Sequence, residues 1–499
     1  MKKHPFTIRL SAALLAALML LTAVACGKTE NPETTTATTA ALADGTTAAT
    51  EATTTATVIE DPPLYDENGY WLDDIPEQNH GGQTVTVLVY KEGKNQILPD
   101  ADNAQNLVHN TVYMRTVAVE ERLGIEFEPI YCDGGWNYQT EFISKATLAG
   151  ESYDLIASYS LWPQVLAVQG YLYNLNNQIY PNLDQPWWCR SVKEWEQHGS
   201  LFFVASNSAV RFINEAEAIF ANMPMLNNYG AEDPTMLVLE GKWTMDKLYE
   251  MSSLLHTDVN ADGVNIPYGL AIEDQSRLDM FYYGACLNAT RTGDDGLAYV
   301  CMDDEAEKMV NMVDKAIALF HRNEAAIATG VGPMQRAQVA FMACCLNQVT
   351  TMDDTTIYTA LPVPKYDEQQ EEYRTVNTNG FDVWCIPLVA KDPELSATVM
   401  EAIASEDYRS VAPFYYDQYL KLRYSNNDIG VEIYDIIRNS VYIDFGRISA
   451  VNMGILETVF RNAVQSGTNK VASSLKAESR IWDKKLETIL KAYAERQGQ

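Results

Sequence analysis

The sequence predicts an α/β fold built on mostly parallel sheets. Three observations predict it. Short β-branched runs of buried-strand type recur along the chain, and amphipathic runs with apolar residues at helical spacing lie between them. Hydrophobic residues make up 47% of the 499 positions, enough for a substantial core. At the usual ~100–200 residues per domain, this length allows two or three domains.

The first segment concerns export rather than fold. Lys2, Lys3 and Arg9 precede an apolar run over residues 10–24, interrupted only by Ser11 and Thr22. That run has signal-peptide length and is short for a spanning helix, which needs ~20 residues. It ends LTAVACG, and small residues ahead of Cys26 match a bacterial lipobox, with Ala23 standing where Leu is usual. The motif predicts that residues 1–25 are removed and that Cys26 is acylated. An ordinary cleaved signal peptide with a bystander Cys is the other reading, and both export the protein. Residues 26–60 are nearly all Thr, Ala and Glu with no aromatic side chain. They read as a disordered tether of about 30 Å typical reach.

The body then alternates. GQTVTVLVY (82–90) is a buried strand, followed by a helix with Leu107, Val108, Val112, Met114, Ala118, Val119 and Leu123 at 3–4 spacing and Gly124 as its stop. IEFEPI (125–130) alternates as a half-exposed strand, and YDLIAS (153–158) is a second buried one. Strand–helix–strand at this spacing implies right-handed crossovers, with ligands beyond the strands' C-terminal ends, near residues 90–91 and 158–162. EAIFANMPMLNNYG (217–230) reads as a strand, a helical turn and a Gly stop. Thr244 caps a helix whose Leu248, Met251 and Leu255 share one face. IPYGLA (266–271), QVAFMACCL (338–346) and FDVWCIPL (381–388) are further strands. Pro393 opens a helix with Leu395, Val399 and Ile403 on one stripe.

Composition excludes several functions. With 36 Lys plus Arg against 67 Asp plus Glu, the net charge is −31. Nucleic acid is therefore not the partner, because phosphate binding needs a basic footprint. The eight Cys are widely spaced apart from adjacent Cys344 and Cys345, so a disulfide scaffold is not the basis of the fold. There is no His-Glu-x-x-His pair, no Gly-x-Ser-x-Gly elbow and no complete phosphate loop, and the reading is not an enzyme. Asp258, Asn260 and Asp262, followed by Gly263, match the first half of an EF-hand loop. Its twelfth position holds Gly269 instead of Glu, so the segment reads either as a weak structural calcium site or as an Asx-rich turn; no cofactor is otherwise required.

Taken together, the lipobox, the tether, GQTVTVLV, YDLIA, AIFANMPMLNNYG, GKWTMDKL and IPLVAKDPELSATVMEAI resemble the extracellular solute-binding proteins of ABC importers. The group they are similar to is family 1, the maltose-binding-like sugar and oligosaccharide group. The resemblance implies a two-lobed, type II periplasmic-binding-protein-like fold, each lobe a mostly parallel sheet flanked by helices. Residues 61–217 plus about 378–412 would form the first lobe, and 218–377 plus about 413–499 the second. It further implies a monomer on the outer face of the membrane that captures a carbohydrate in the hinge cleft and delivers it to permease subunits. A lipid-anchored glycoside hydrolase is the alternative from another class.

Sugar binding needs flat apolar faces and fixed hydrogen-bonding groups, and 28 Tyr and 9 Trp supply the faces. Trp162, directly after a strand end, is the first candidate for stacking, with Ser160 to bond hydroxyls. Tyr90 and Tyr159 sit at the same edge, and Tyr282 and Tyr283 fall where the second lobe can face the cleft. Glu215, at the crossing, reads as a hydroxyl acceptor or a solvated hinge carboxylate. Pro186-Trp187-Trp188 reads as a structural corner. Arg336 and Arg409 read as surface ion pairs or as partners for an acidic sugar. If Cys26 is acylated, Cys26→Ser releases the protein from membranes into the medium; retention of that variant in the membrane fraction would instead indicate an uncleaved signal helix.

Overall fold

A computed structural model of the protein describes residues 65–499, apart from 104–105, 133–134, 256–267, 324–328, 352–357 and 422–427. The expected export segment, Cys26 and the tether lie outside the described residues, as do Asp258, Asn260 and Asp262. Ten strands are described: β1 Gln83–Tyr90, β2 Ile125–Cys132, β3 Leu155–Tyr159, β4 Glu217–Asn222, β5 Tyr268–Ile272, β6 Thr290–Thr292, β7 Ala298–Val300, β8 Val339–Cys345, β9 Tyr358–Leu361 and β10 Asp382–Cys385.

They form two four-stranded sheets, ordered β10-β3-β1-β2 and β5-β8-β4-β9, and a small β6–β7 hairpin. In the first sheet β1 runs parallel to β2 and β3, and β10 runs against β3. In the second, β5 and β8 are parallel while β4 is antiparallel to both of its neighbours. Each sheet therefore holds three strands of one direction and a fourth that opposes them. The opposing strands, β4 and β10, directly follow the two stretches by which the chain passes between the sheets. Those stretches pair with each other. Glu217 N–H donates to Val376 O at 3.0 Å, Thr378 N–H to Glu215 O at 2.9 Å, and Ala216 and Asn377 bridge antiparallel.

Burial explains why these runs are strands. Val85, Val87, Leu88 and Val89 are all within the core, so β1 is covered on both faces. Every residue of β4 and of β8 is buried as well. Helix Leu107–Leu123 starts where the Asn106 side chain accepts from His109 N–H and stops at Gly124, which takes φ 62°. Its inner stripe differs from the one the sequence suggests. Leu107 and Met114 are exposed, while Val112, Arg115, Thr116, Val119 and Leu123 face inward. The buried Arg115 is neutralised by Asp407, Nε to Oδ1 at 3.2 Å, so a charge stands where an apolar residue was expected. Helix Met245–Ser253 has its Thr244 cap, bonded from Lys247 N–H at 3.3 Å. Helix Pro393–Glu406 has Asp392 as its cap, bonded from Leu395 N–H at 3.0 Å.

Among the described residues no helix is long and apolar enough to cross a membrane. The C-terminal helices cover the second sheet's side, and the last, Val471–Ala494, also packs on helix Pro163–Gln169 beside the first sheet. Asn174 completes that tie, its side chain donating to Gln497 O at 2.9 Å.

The tandem tryptophans are a structural corner. Trp187 Nε1 donates to Glu401 Oε1 at 3.0 Å and Trp188 Nε1 to Oε2 at 3.2 Å, while Asn182 N–H donates to Oε2 at 3.0 Å. Three N–H donors thus converge on one buried carboxylate from helix Pro393–Glu406. Glu401→Gln keeps the shape but turns one acceptor into a donor facing N–H groups. A denaturant melt is expected to show a loss of about 1–3 kcal/mol; an unchanged melt would mean that packing alone fixes the corner.

Candidate ligand-binding cleft

The C-terminal ends of β1, β3 and β5 point toward the crossing stretches, and a cleft of about 480 Å³ opens there. From the first sheet's side come Tyr90, Glu92, Tyr159 and Arg211; the crossings themselves supply Glu215, Glu217, Thr378, Asn379 and Gly380. The second sheet's side adds Arg277 and Asp279, just past β5, Arg447 and Arg461 from the C-terminal helices, and Ile455 from a connection between them.

Two ionic networks shape the walls. On the first side, Tyr90 OH donates to Asp382 Oδ1, and Arg211 Nε lies 3.2 Å from the same oxygen. The Arg211 guanidinium also sits 5.4 Å from the Tyr90 ring centre and donates to Gly380 O, fastening the returning crossing. Tyr90 and Tyr159 meet edge to face at 5.8 Å. On the second side, Arg277 Nη1 donates to Glu217 Oε1 at 3.1 Å and its Nε to Glu273 Oε2 at 3.0 Å. Arg461 Nε donates to Asp279 Oδ1 at 2.9 Å, and Arg447 Nη1 lies 3.5 Å from Asp279 Oδ2.

Burial dominates the protonation of this site. It pushes Glu217 up to about 7 and Asp279 and Asp382 up to about 6, with neighbouring guanidinium groups acting the other way. Burial likewise raises the Tyr159 phenol to about 12. The cleft thus presents the uncharged Tyr159 ring and an array of carboxyl and guanidinium groups capable of hydrogen bonding.

Of the residues expected here, the structure brings three to the cleft and keeps four away. Tyr159, Tyr90 and Glu215 line it. Trp162 does not, because its backbone has already left the strand. Its N–H donates to Tyr159 O at 3.1 Å and its carbonyl accepts from Leu166 N–H at 3.0 Å, so it begins helix Pro163–Gln169. Ser160 is buried, and its Oγ is spent on Asn379 O at 2.8 Å. Tyr282 and Tyr283 are fully buried in helix Asp279–Gly284, with Tyr282 OH donating to Asn288 O at 2.6 Å. The first residue of that helix, Asp279, reaches the cleft in their place. Arg336 bonds Gln338 at 2.8 Å and Arg409 pairs with Glu406 at 2.7 Å, both away from the site.

Sequence reasoning passed over Arg211, Glu217, Arg277, Asp279, Arg447 and Arg461. Arg211 and Glu217 flank Glu215 by a few positions and were within reach of the crossing argument. Arg447 and Arg461 arrive from far along the chain, and no local pattern marks them.

No protein-family model matches this chain, and no curated protein matches it. Solved structures do. One is a cyclo/maltodextrin-binding protein complexed with maltotetraose, 15% identical with a TM-score of 0.52, the match covering 84% of this chain and 98% of that one. A second is the galacto-N-biose/lacto-N-biose I-binding protein of the ABC transporter from Bifidobacterium longum, at 11% and 0.52, covering 84% and 98%. A third is the cyclic α-maltosyl-1,6-maltose binding protein from Arthrobacter globiformis, at 12% and 0.52, covering 84% and 99%. The chain shares their fold. The two sheets are the cores of two α/β lobes of the type II periplasmic-binding class, as expected, and the cleft lies where they join.

A second hollow, about 780 Å³, lies between helices Thr458–Ser466 and Val471–Ala494 and meets the cleft only at Ile455. It is larger, but its walls are surface helices and no strand ends converge on it. The smaller cleft carries the chemistry.

Gly380 packs closely against the Glu215 carboxylate. A Cβ there would stand 2.5 Å from Glu215 Cδ, and that carboxylate already accepts from Thr378 Oγ1 and, at 3.4 Å, from Asn347 Nδ2. Gly380→Ala is expected to push Glu215 off Thr378 and cost about 1–3 kcal/mol of stability. An unmoved thermal melt would show that the carboxylate yields freely.

Proposed function

We propose that this protein is an extracytoplasmic substrate-binding receptor of an ABC transporter, capturing a carbohydrate and delivering it to the permease. The observation that carries this reading is the polar cleft at the junction of two lobes whose fold matches binding proteins along 84% of this chain. Those neighbours are named for maltodextrins, lacto-N-biose and related glycans. The chemistry of the cleft suits such a ligand. Sugar hydroxyls both donate and accept, and the walls alternate guanidinium donors with carboxylate acceptors. Tyr159 offers an aromatic face and Glu215 an acceptor at the crossing.

In this reading no bond is made or broken. Ligand bridging both lobes favours the closed arrangement, the equilibrium shifts by the difference in affinity, and the permease recognises the closed form. Acylation of Cys26 would hold a monomer at the outer face of the cell membrane, with residues 26–60 as its leash.

Calorimetry with maltotetraose, lacto-N-biose and tagatose, run beside short peptides, tests the proposal. Saturable binding of a carbohydrate with no product released over hours is expected. Binding of peptides alone would overturn the carbohydrate assignment, and steady release of shorter glycans would point to a glycoside hydrolase instead.

A further inference from the structure

The 780 Å³ hollow and the 480 Å³ cleft share a sill. Ile455, half-buried on the short connection between helices Ala450–Met453 and Thr458–Ser466, lines both of them. Helix Thr458–Ser466 is the wall that divides them. Arg461 lines the cleft, while Thr458, Asn462 and Ser466, each four residues from the next and so on one face, line the hollow.

The hollow has a chemistry of its own. Val459, Ala463 and Trp482, all buried, make an apolar floor. Asn462 stands exposed beside it, and its amide bonds nothing among the described residues. The same holds for the Lys470 ammonium and the Glu478 carboxylate on the facing side. In the cleft most charged groups are spent on one another, as Arg461 is on Asp279 and Arg277 on Glu217. In the hollow they are unspent, so a ligand engages them without first breaking an internal bond. An apolar floor rimmed by donors and acceptors suits a sugar ring, whose C–H face rests on the floor while its hydroxyls reach the rim.

Continuity decides the occupant. Ligand sites run from about 300 to 1,000 Å³, and the cleft lies near the lower end of that range. A chain longer than the cleft must leave it, and the hollow lies directly past the sill. Resting on the carbohydrate reading above, we propose that the hollow is a second subsite for the same glycan. One end sits in the cleft, the chain passes over Ile455, and further rings lie between helices Thr458–Ser466 and Val471–Ala494. The receptor then selects oligosaccharides over single sugars and disaccharides.

The full-length protein is titrated in a calorimeter with maltose, maltotriose, maltotetraose and maltohexaose, and with the matching cello-oligosaccharides, beside lacto-N-biose and tagatose. Affinity is expected to rise about 10-fold or more from disaccharide to hexasaccharide in the series that binds. Asn462→Ala combined with Lys470→Ala removes two rim groups and is expected to weaken the hexasaccharide roughly 10-fold. Disaccharide affinity is expected to stay within about twofold, because neither residue lines the cleft. Ala477→Trp, at an exposed position of the hollow, fills it and is expected to bring the hexasaccharide down to the disaccharide's affinity. All three positions are exposed, so thermal melts of the variants are expected to match the unaltered protein. A hexasaccharide that binds no tighter than the disaccharide, or whose affinity neither variant moves, overturns this inference and leaves the carbohydrate reading standing. Equal losses for short and long glycans in both variants overturn it as well, as does binding confined to tagatose or to disaccharides. If the unaltered protein binds none of these glycans, the carbohydrate reading falls and the inference falls with it.

Discussion

The structure hangs on a few backbone hydrogen bonds between two short stretches of chain. Residues 215–217 leave the first sheet and residues 376–378 return to it, and they pair antiparallel as they pass. Each stretch then becomes the one reversed strand of the sheet it enters, β4 in one lobe and β10 in the other. A paired crossing is stiffer than a single linker, yet it is only two strands wide, so it can bend where a sheet could not. The cleft is built around it: Glu215 and Glu217 stand on one crossing strand, and Thr378, Asn379 and Gly380 follow the other.

Electrostatics explains what holds the side chains of the cleft walls in place. Arg211, Arg277 and Arg461 each have a carboxylate within about hydrogen-bonding distance, and most of these groups are largely buried. Removing one partner of such a pair strands the other charge in low dielectric, which is far costlier than losing an exposed pair. The arrays hold their own side chains in place. That is a different solution from a stacking platform of tryptophans, and among the described residues no Trp lines the cleft.

The fold was largely legible in the sequence because burial on both faces of β1, β4 and β8 writes unbroken apolar runs, and Asn106, Thr244 and Asp392 mark helix starts by chemistry alone. The position of the cleft was legible for the same reason, since it follows from strand direction. Its lining was only partly so. Tyr90, Tyr159 and Glu215 fall next to elements whose ends can be read locally. Trp162 stands apart from the cleft because the chain turns as soon as β3 ends at Tyr159, and three residues later it already caps helix Pro163–Gln169. Tyr282 and Tyr283 misled because aromatic composition says nothing about which face of a helix turns inward. Arg447 and Arg461 owe their place to tertiary packing of the C-terminal helices, which no spacing in the chain encodes.

The central place of β4 has a consequence for how the molecule is assembled. β1, β2 and β3 come from one continuous stretch and can pair as soon as they are made; β10 adds later at an open edge. β4 precedes both of its neighbours, β8 and β9, by more than a hundred residues. Its six residues, all buried in the finished protein, must therefore wait with two naked edges while the chain between is completed. A waiting apolar strand is a template for the wrong partner as readily as the right one. The second lobe is thus the slow half, dominated by non-local pairing, and the vulnerable interval of this protein's life falls between the emergence of β4 and the arrival of β8.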